Sequence, residues 1–130
     1  MKLPTPALLV LLLALGACSK PAESPSSTGT VQHVVVCWLK EPGNEMARAQ
    51  LIGTSLGFKD LPGVVDVSAG TPLPSNRKEV DSSFDVALTM TFRNEAALRA
   101  YEKHPAHKRA VEDVLKPLVA RFVVYDFVGR

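Results

Sequence analysis

Apolar and polar positions along this chain follow two periods, and the switches between them mark its elements. Val31–Leu39 (VQHVVVCWL) is a nearly unbroken β-rich apolar run, which predicts a strand covered on both faces. Pro42-Gly43 breaks it. Asn44 is placed to cap a helix reaching about Lys59, with Ala49, Ile52 and Leu56 on one face, although Gly53 and Gly57 weaken it. Pro62-Gly63 turns the chain into a second strand, Val64–Gly70. Residues 71–83 are polar, carry two prolines and read as a long exposed connection. Phe84–Phe92 alternates most clearly: Phe84, Val86, Leu88, Met90 and Phe92 on one face, Asp85, Ala87, Thr89 and Thr91 on the other. Asn94 caps a short helix through Lys103, with Leu98 and Tyr101 on its inner stripe. Pro105 interrupts it, because the residue before a proline disfavours helix. A further helix from Ala106 to about Leu118 lines up His107, Val111, Val114, Leu115 and Leu118 on one face. Arg121–Phe127 (RFVVYDF) reads as the last strand.

The order β-α-β-β-α-α-β predicts an α+β domain, a ferredoxin-like antiparallel sheet with helices on one face. If His33 faces the helices, Val34, Val36 and Trp38 face away from them. One exposed apolar sheet face would be a large sticky patch. Pairing two sheets face to face in a two-fold homodimer, a dimeric α/β barrel, covers it.

The first residues read differently. Met1-Lys2 precedes an apolar run, Ala7–Leu15, with the charge, core and small residues of a secretory signal. The run is too short to span a bilayer, which takes ~20 apolar residues. Leu15-Gly16-Ala17-Cys18 resembles the bacterial lipobox. That resemblance implies a signal peptide over residues 1–17 and lipidation of Cys18 as the new N-terminus. Ser19, in place of Asp, implies a bacterial cell-envelope protein held in the outer membrane and facing the periplasm. Residues 18–30 are a Ser/Pro-rich lipid-anchored tether without the apolar side chains to fold, and residues 31–130 form the domain. Cys37 is then left as a free thiol that packs rather than reacts.

Composition narrows the classes. The chain has 130 residues, 46% hydrophobic and 22% charged, and its 15 Lys and Arg against 13 Asp and Glu leave a formal charge of +2. So small an excess argues against a nucleic-acid partner. The sequence has no Gly-rich phosphate loop, no Cys pair at metal spacing and no nucleophile elbow. His104 and His107 could pair on a metal, but Pro105 distorts the turn and no acidic cluster adjoins, so neither metal nor cofactor is expected.

The residues that could carry chemistry are few. His107 opens the apolar stripe of its helix, Tyr101 lies on the stripe before it, and His33 sits in the first strand with Val35, Cys37 and Leu39. These can converge between sheet and helices. A neutral His is a usable base near pH 7, and a Tyr hydroxyl can donate to a developing enolate. The structural alternative makes His104 a helix cap and leaves Tyr101 and His107 as core residues with internal partners.

Tyr101-Glu102-Lys103-His104-Pro105-Ala106-His107 resembles the Y-x-x-H-P-x-H motif of the stress-responsive A/B barrel (Dabb) family. The opening strand from His33, the strand Phe84–Phe92 and the closing V-V-Y-D-F (Val123–Phe127) are also similar to that family. The resemblance implies a ferredoxin-like subunit and a dimer whose two sheets form a barrel. It implies little about reaction, since most members have no assigned activity. The family includes a plant polyketide cyclase, whose roles would fall on Tyr101 as proton donor and His107 as base, with His33, Val86 and His104 as pocket neighbours. Val86 stands where that cyclase has a further pocket His, which makes this pocket more apolar. Two function classes remain open. One is an envelope module, stress-related by its resemblance, that binds a small, largely apolar molecule, with Tyr101 and His107 bracing the helix break. The other is a cofactor-free lyase, cyclase or isomerase on a small carbonyl compound, which needs a cavity of a few hundred Å³. A third reading, the monooxygenase-like dimeric barrels, shares the fold, but the motif speaks against it.

Overall fold

The computed structural model describes residues 29–130. Cys18, the signal segment and most of the tether lie outside the described residues. Four strands form one antiparallel sheet in the order β2-β3-β1-β4: β1 (Val31–Leu39), β2 (Val64–Gly70), β3 (Val86–Phe92) and β4 (Val119–Val128). Helices α1 (Glu45–Leu56) and α2 (Glu95–Lys103) follow β1 and β3. After α2 comes a helical run made of α3 (Pro105–Ala110), a wider π turn (Val111–Leu115) and a last short turn, α4 (Lys116–Leu118). This is the ferredoxin-like arrangement that the element order implies.

Asn44 and Asn94 cap α1 and α2, each accepting from the backbone N–H three residues on, Ala47 at 3.0 Å and Ala97 at 2.9 Å. Gly63, at φ +83°, makes the turn into β2 and lies so close to Ala97 that a Cβ there would be 2.5 Å from the alanine methyl. The core gathers on one sheet face: Val31, Val35, Cys37 and Leu39 of β1, Val86, Leu88, Met90 and Phe92 of β3, with Leu51, Phe58, Leu98 and Tyr101 above them. Cys37 is a free, fully buried thiol, and burial pushes it up to about 11.

Several expectations are corrected. In β1 only alternate residues are buried, because among the described residues no layer covers Val34, Val36 and Trp38, which stay half-buried. Helix α1 ends at Leu56 and continues as a 3₁₀ turn, Gly57–Asp60. Its buried face is Ala47, Leu51 and Ser55, extended by Phe58; of the expected face only Ile52 packs against the core, half-buried, while Ala49 is exposed and Leu56 is 43% exposed. The polar Ser55 can be buried because its hydroxyl donates to the Leu51 carbonyl at 2.8 Å. Strand β3 begins at Val86, two residues after Phe84. Asp85, expected on the open face, is buried and joins three elements: its carboxylate accepts from the backbone N–H of Leu39 (2.9 Å) and Gly43 (2.8 Å) and from Arg48 (2.9 Å). Burial pushes that carboxyl up, but those donors outweigh it and hold it below the usual carboxylate range. Strand β4 starts at Val119, two residues earlier than the pattern suggests, with an irregular step opposite Trp38 and Leu39.

Candidate functional site

The Tyr101–His107 segment turns its sequence into geometry through His104 and Pro105. His104 ends α2, its backbone N–H donating to the Tyr101 carbonyl at 2.9 Å. It also starts α3, its Nδ1 accepting from the Ala106 N–H at 3.1 Å. Pro105 sits at the first helical position, where its missing N–H leaves no bond unmade. The sharp junction folds His107 back on the preceding helix, where its Nδ1–H donates to the Glu102 carbonyl at 3.2 Å. The rings of Tyr101 and His107 then lie 4.4 Å apart, tilted by 44°.

Aromatic neighbours fix Tyr101 on its other sides, with ring centroids 5.0 Å away at Phe92, 5.4 Å at Phe58 and 6.0 Å at His33. His33 is opposite Asp126 in the β1–β4 register, and its Nδ1 is 2.6 Å from Asp126 Oδ1. A carboxylate only accepts, so Nδ1–H of His33 donates to Asp126.

Between sheet and helices lies a cavity of about 60 Å³. Val35 and Leu88 form its floor, and Leu51, Thr54, Ser55 and Phe58 one wall. Tyr101, His107, Ala110, Val111 and Leu115 form the other wall, the last three from the helical run with its π turn. The volume is well below the few hundred Å³ expected. Among the described residues no hydrogen bond engages the Tyr101 hydroxyl, although Tyr101 is 4% exposed. Burial pushes that hydroxyl above its ordinary range and so keeps it protonated. Burial also lowers His107, with a smaller contribution from nearby His33, so its imidazole is neutral near pH 7. With Nδ1–H held by Glu102, His107 Nε2 is the basic atom.

The structure thus brings Tyr101 and His107 together at one cavity, with His33 behind Tyr101 rather than in the wall. His104 does not join them: its ring nitrogen is used in capping α3. Val86 is fully buried beneath the sheet's helix-covered face and is not part of the lining either. Sequence reasoning missed Asp126, whose signal is a single acid inside the apolar run Val123–Phe127 and which only the β1–β4 register pairs with His33. It also missed Thr54 and Phe58. Among the described residues no three His, Cys, Asp or Glu side chains gather as metal ligands would.

A family model for the stress responsive A/B barrel domain (Dabb) matches residues 31–129. No curated protein matches the chain. Among solved structures, a Dabb family protein with a ferredoxin-like fold from Mesorhizobium loti is 24% identical, with TM-score 0.64, covering 78% of this chain and 98% of its own. A dimeric ferredoxin-like protein of unknown function from Thermobifida fusca is 19% identical, with TM-score 0.65, covering 80% of this chain and 94% of its own. A hydroxynitrile lyase from Passiflora edulis is 18% identical, with TM-score 0.68, covering 80% of this chain and 96% of its own. These likenesses are of fold.

Proposed function

The chain belongs to the stress responsive A/B barrel (Dabb) family, and from that premise we propose that it is a homodimeric barrel protein that binds a small, largely apolar molecule between sheet and helices. One observation carries this reading: a buried Tyr101 hydroxyl without a described protein partner, beside a neutral His107, at the wall of an otherwise mostly apolar cavity. Buried polar groups are nearly always hydrogen-bonded, so an unpaired one at a cavity points to a ligand or water. The homodimer is supported by the dimeric relatives and by the outer sheet face. There Val34, Val36 and Trp38 stand in register with Tyr125, Val123 and Arg121. Lipid anchoring through Cys18 to the outer membrane, on its periplasmic side, is supported by Leu15-Gly16-Ala17-Cys18-Ser19.

His107 favours a second reading, a cofactor-free lyase, cyclase or isomerase. Nε2 of a neutral imidazole can take a proton beside a carbonyl, while the Tyr101 O–H donates to the enolate oxygen that develops. Asp126 would orient His33 behind this pair. That a relative of this fold is a hydroxynitrile lyase is compatible with such chemistry here.

Native mass spectrometry of the protein purified gently from its host tests the binding reading. A dimer with an adduct mass that disappears in both His107→Ala and Tyr101→Phe is the expected result. An empty dimer under all gentle conditions would return the two residues to a bracing role. Metabolic labelling with a clickable fatty acid tests the anchor: Cys18→Ser should lose both label and membrane association, and a labelled variant would refute it.

A further inference from the structure

Most of the cavity lining is core, and one side of it is not. Val35, Leu51, Phe58, Leu88 and Tyr101 are buried members of the core and do not yield without disturbing its packing. The remaining side, His107, Ala110, Val111 and Leu115, comes from the helical run of α3, π turn and α4. Every side chain from Glu102 to Leu118 is at least partly exposed, whereas α1 buries Ala47, Leu51 and Ser55 and α2 buries Leu98 and Tyr101. An element that buries so little has a low free energy of local opening.

Hydrogen bonds hold this run at its ends. At the first, His104 has extended backbone (ψ 135°) between α2 and α3, and Pro105 begins α3. At the last, Lys40 donates twice, from its backbone N–H to the Leu118 carbonyl at 2.8 Å and from Nζ to the Lys116 carbonyl at 2.7 Å. Among the described residues no hydrogen bond ties the stretch 108–115 to the sheet or to α1, and only the half-buried Ala110, Val114 and Leu115 rest on the core. The helix is also irregular within this span. Pro117 has no N–H to donate, and in a regular α-helix its ring would meet the Asp113 carbonyl. The turn before it is wider, the Lys116 N–H donating to the Val111 carbonyl five residues back. Single π turns of this kind are frequent at functional sites.

We propose that α3 and the π turn form the lid of the cavity, opening outward between two fixed ends, His104-Pro105 and Leu118, while the sheet, α1 and α2 keep their places. This rests on the cavity being a ligand site, as inferred above, and adds how a ligand reaches it. Tyr101 stays on the fixed side and His107 travels with the lid. Opening breaks the bond from His107 Nδ1–H to the Glu102 carbonyl and parts two rings that lie 4.4 Å apart when closed. Admission of a ligand and assembly of the Tyr101–His107 pair are then one motion. A ligand that touches both residues favours the closed state by that difference in contact.

Hydrogen exchange and NMR relaxation dispersion on the intact purified protein test the lid. Amides of residues 109–116 should exchange at least about a hundredfold faster than those of α1 and β3, with little dependence on urea below the unfolding transition, because local opening exposes little surface. The His107 ring should show dispersion at the same rate as those amides. Pro117→Ala supplies the missing donor and permits a regular helix, so it should slow exchange over residues 109–116 about tenfold and leave α1 and β3 unchanged. Lys40→Met, which removes the Nζ bond and keeps the stem, should speed it about threefold. Exchange of residues 109–116 that matches α1 and β3 in rate and urea dependence overturns the proposal, as does unaltered exchange there in Pro117→Ala. A silent His107 ring beside exchanging amides overturns it too, since the wall would then fray without parting the pair. The lid and the ligand reading fail separately. A protein that opens in this way but carries no adduct in native mass spectrometry keeps the lid and loses the ligand. One that keeps its adduct with residues 109–116 as protected as α1 loses the lid.

Discussion

Tyr101 and His107 serve opposing demands, and the opposition can be measured one side chain at a time. Tyr101 packs against Phe58, Phe92 and His33, yet its hydroxyl has no described partner. An unsatisfied buried hydroxyl costs about 1–3 kcal/mol, which replacement by hydrogen recovers. Tyr101→Phe should therefore raise unfolding stability by about 1 kcal/mol in urea denaturation while ligand retention falls. A loss of stability would mean that the hydroxyl has a structural partner and would remove the argument for a ligand. His107 tests the same cavity by pH. Burial sets its folded pKa below the ordinary 6.5, so in the window below 6.5 the unfolded chain binds more protons than the folded one. Stability is then lost as pH falls through that window. Urea midpoints between pH 7.5 and 5 should drop for wild type and drop less for His107→Asn. Parallel curves would show that the imidazole is not buried as described. These two residues were legible in the sequence because a His-Pro pair between them announces a helix break with a short, fixed span. Asp126 was not, because its partner His33 is distant in sequence and only the strand register makes them neighbours.

At the next level, Asp85 shows how helices and strands are fixed so that the cavity keeps its shape. Its carboxylate ties the end of β1 at Leu39, the turn at Gly43 and Arg48 of α1 to the start of β3. Breaking it leaves two backbone N–H groups and one guanidinium without their acceptor, and loss of one partner in such a buried network costs several kcal/mol. Asp85→Ala should lower stability by about 3 kcal/mol in urea, and Asp85→Asn, which keeps one amide oxygen, should lose less. Equal, small losses in both would show that the backbone holds this corner without the carboxylate. Alternation along Phe84–Phe92 located this strand but put Asp85 on the face away from the helices, because its burial depends on donors from the end of β1 and from α1 that lie far off in sequence. The face of α1 was misplaced for a related reason. Ser55 reads as polar surface until its hydroxyl is seen to donate to Leu51, and Phe58 lies beyond the helix proper in a 3₁₀ turn. Caps and turns are local in their chemistry and were read correctly; Asp85 and His33 are satisfied from distant elements, and Ser55 by a carbonyl of its own helix, and none of these shows in the hydropathy pattern.

For the molecule as a whole, the sheet sets the decisive question, since its helices cover only one face. On the other, Val34, Val36 and Trp38 are half-buried and Tyr125 and Phe127 are 59% and 54% exposed, with the Arg121 guanidinium 3.5 Å over the Trp38 ring. A contiguous apolar sheet face of this kind is stable in water only when covered, and a second copy covers it with the same residues by two-fold symmetry. Stable dimers bury about 800 Å² on each partner, with aromatic residues near the centre of the patch. Tyr125, directly across from Val34, is the residue whose charge would be least tolerated there. Native mass spectrometry should find wild type dimeric and Tyr125→Lys monomeric. Met46→Lys, at an 85% exposed position on α1 well away from this face, should remain dimeric. The Tyr125 variant should also keep its ligand, because the cavity is lined from within a single subunit, on the side of the sheet that the helices cover. A dimeric Tyr125→Lys protein would place the contact elsewhere and leave this sheet face without an explanation. A monomer that had lost its ligand would instead show that the two sheets, by facing each other, hold the floor residues Val35 and Leu88 in place, so that the binding site depends on the dimer.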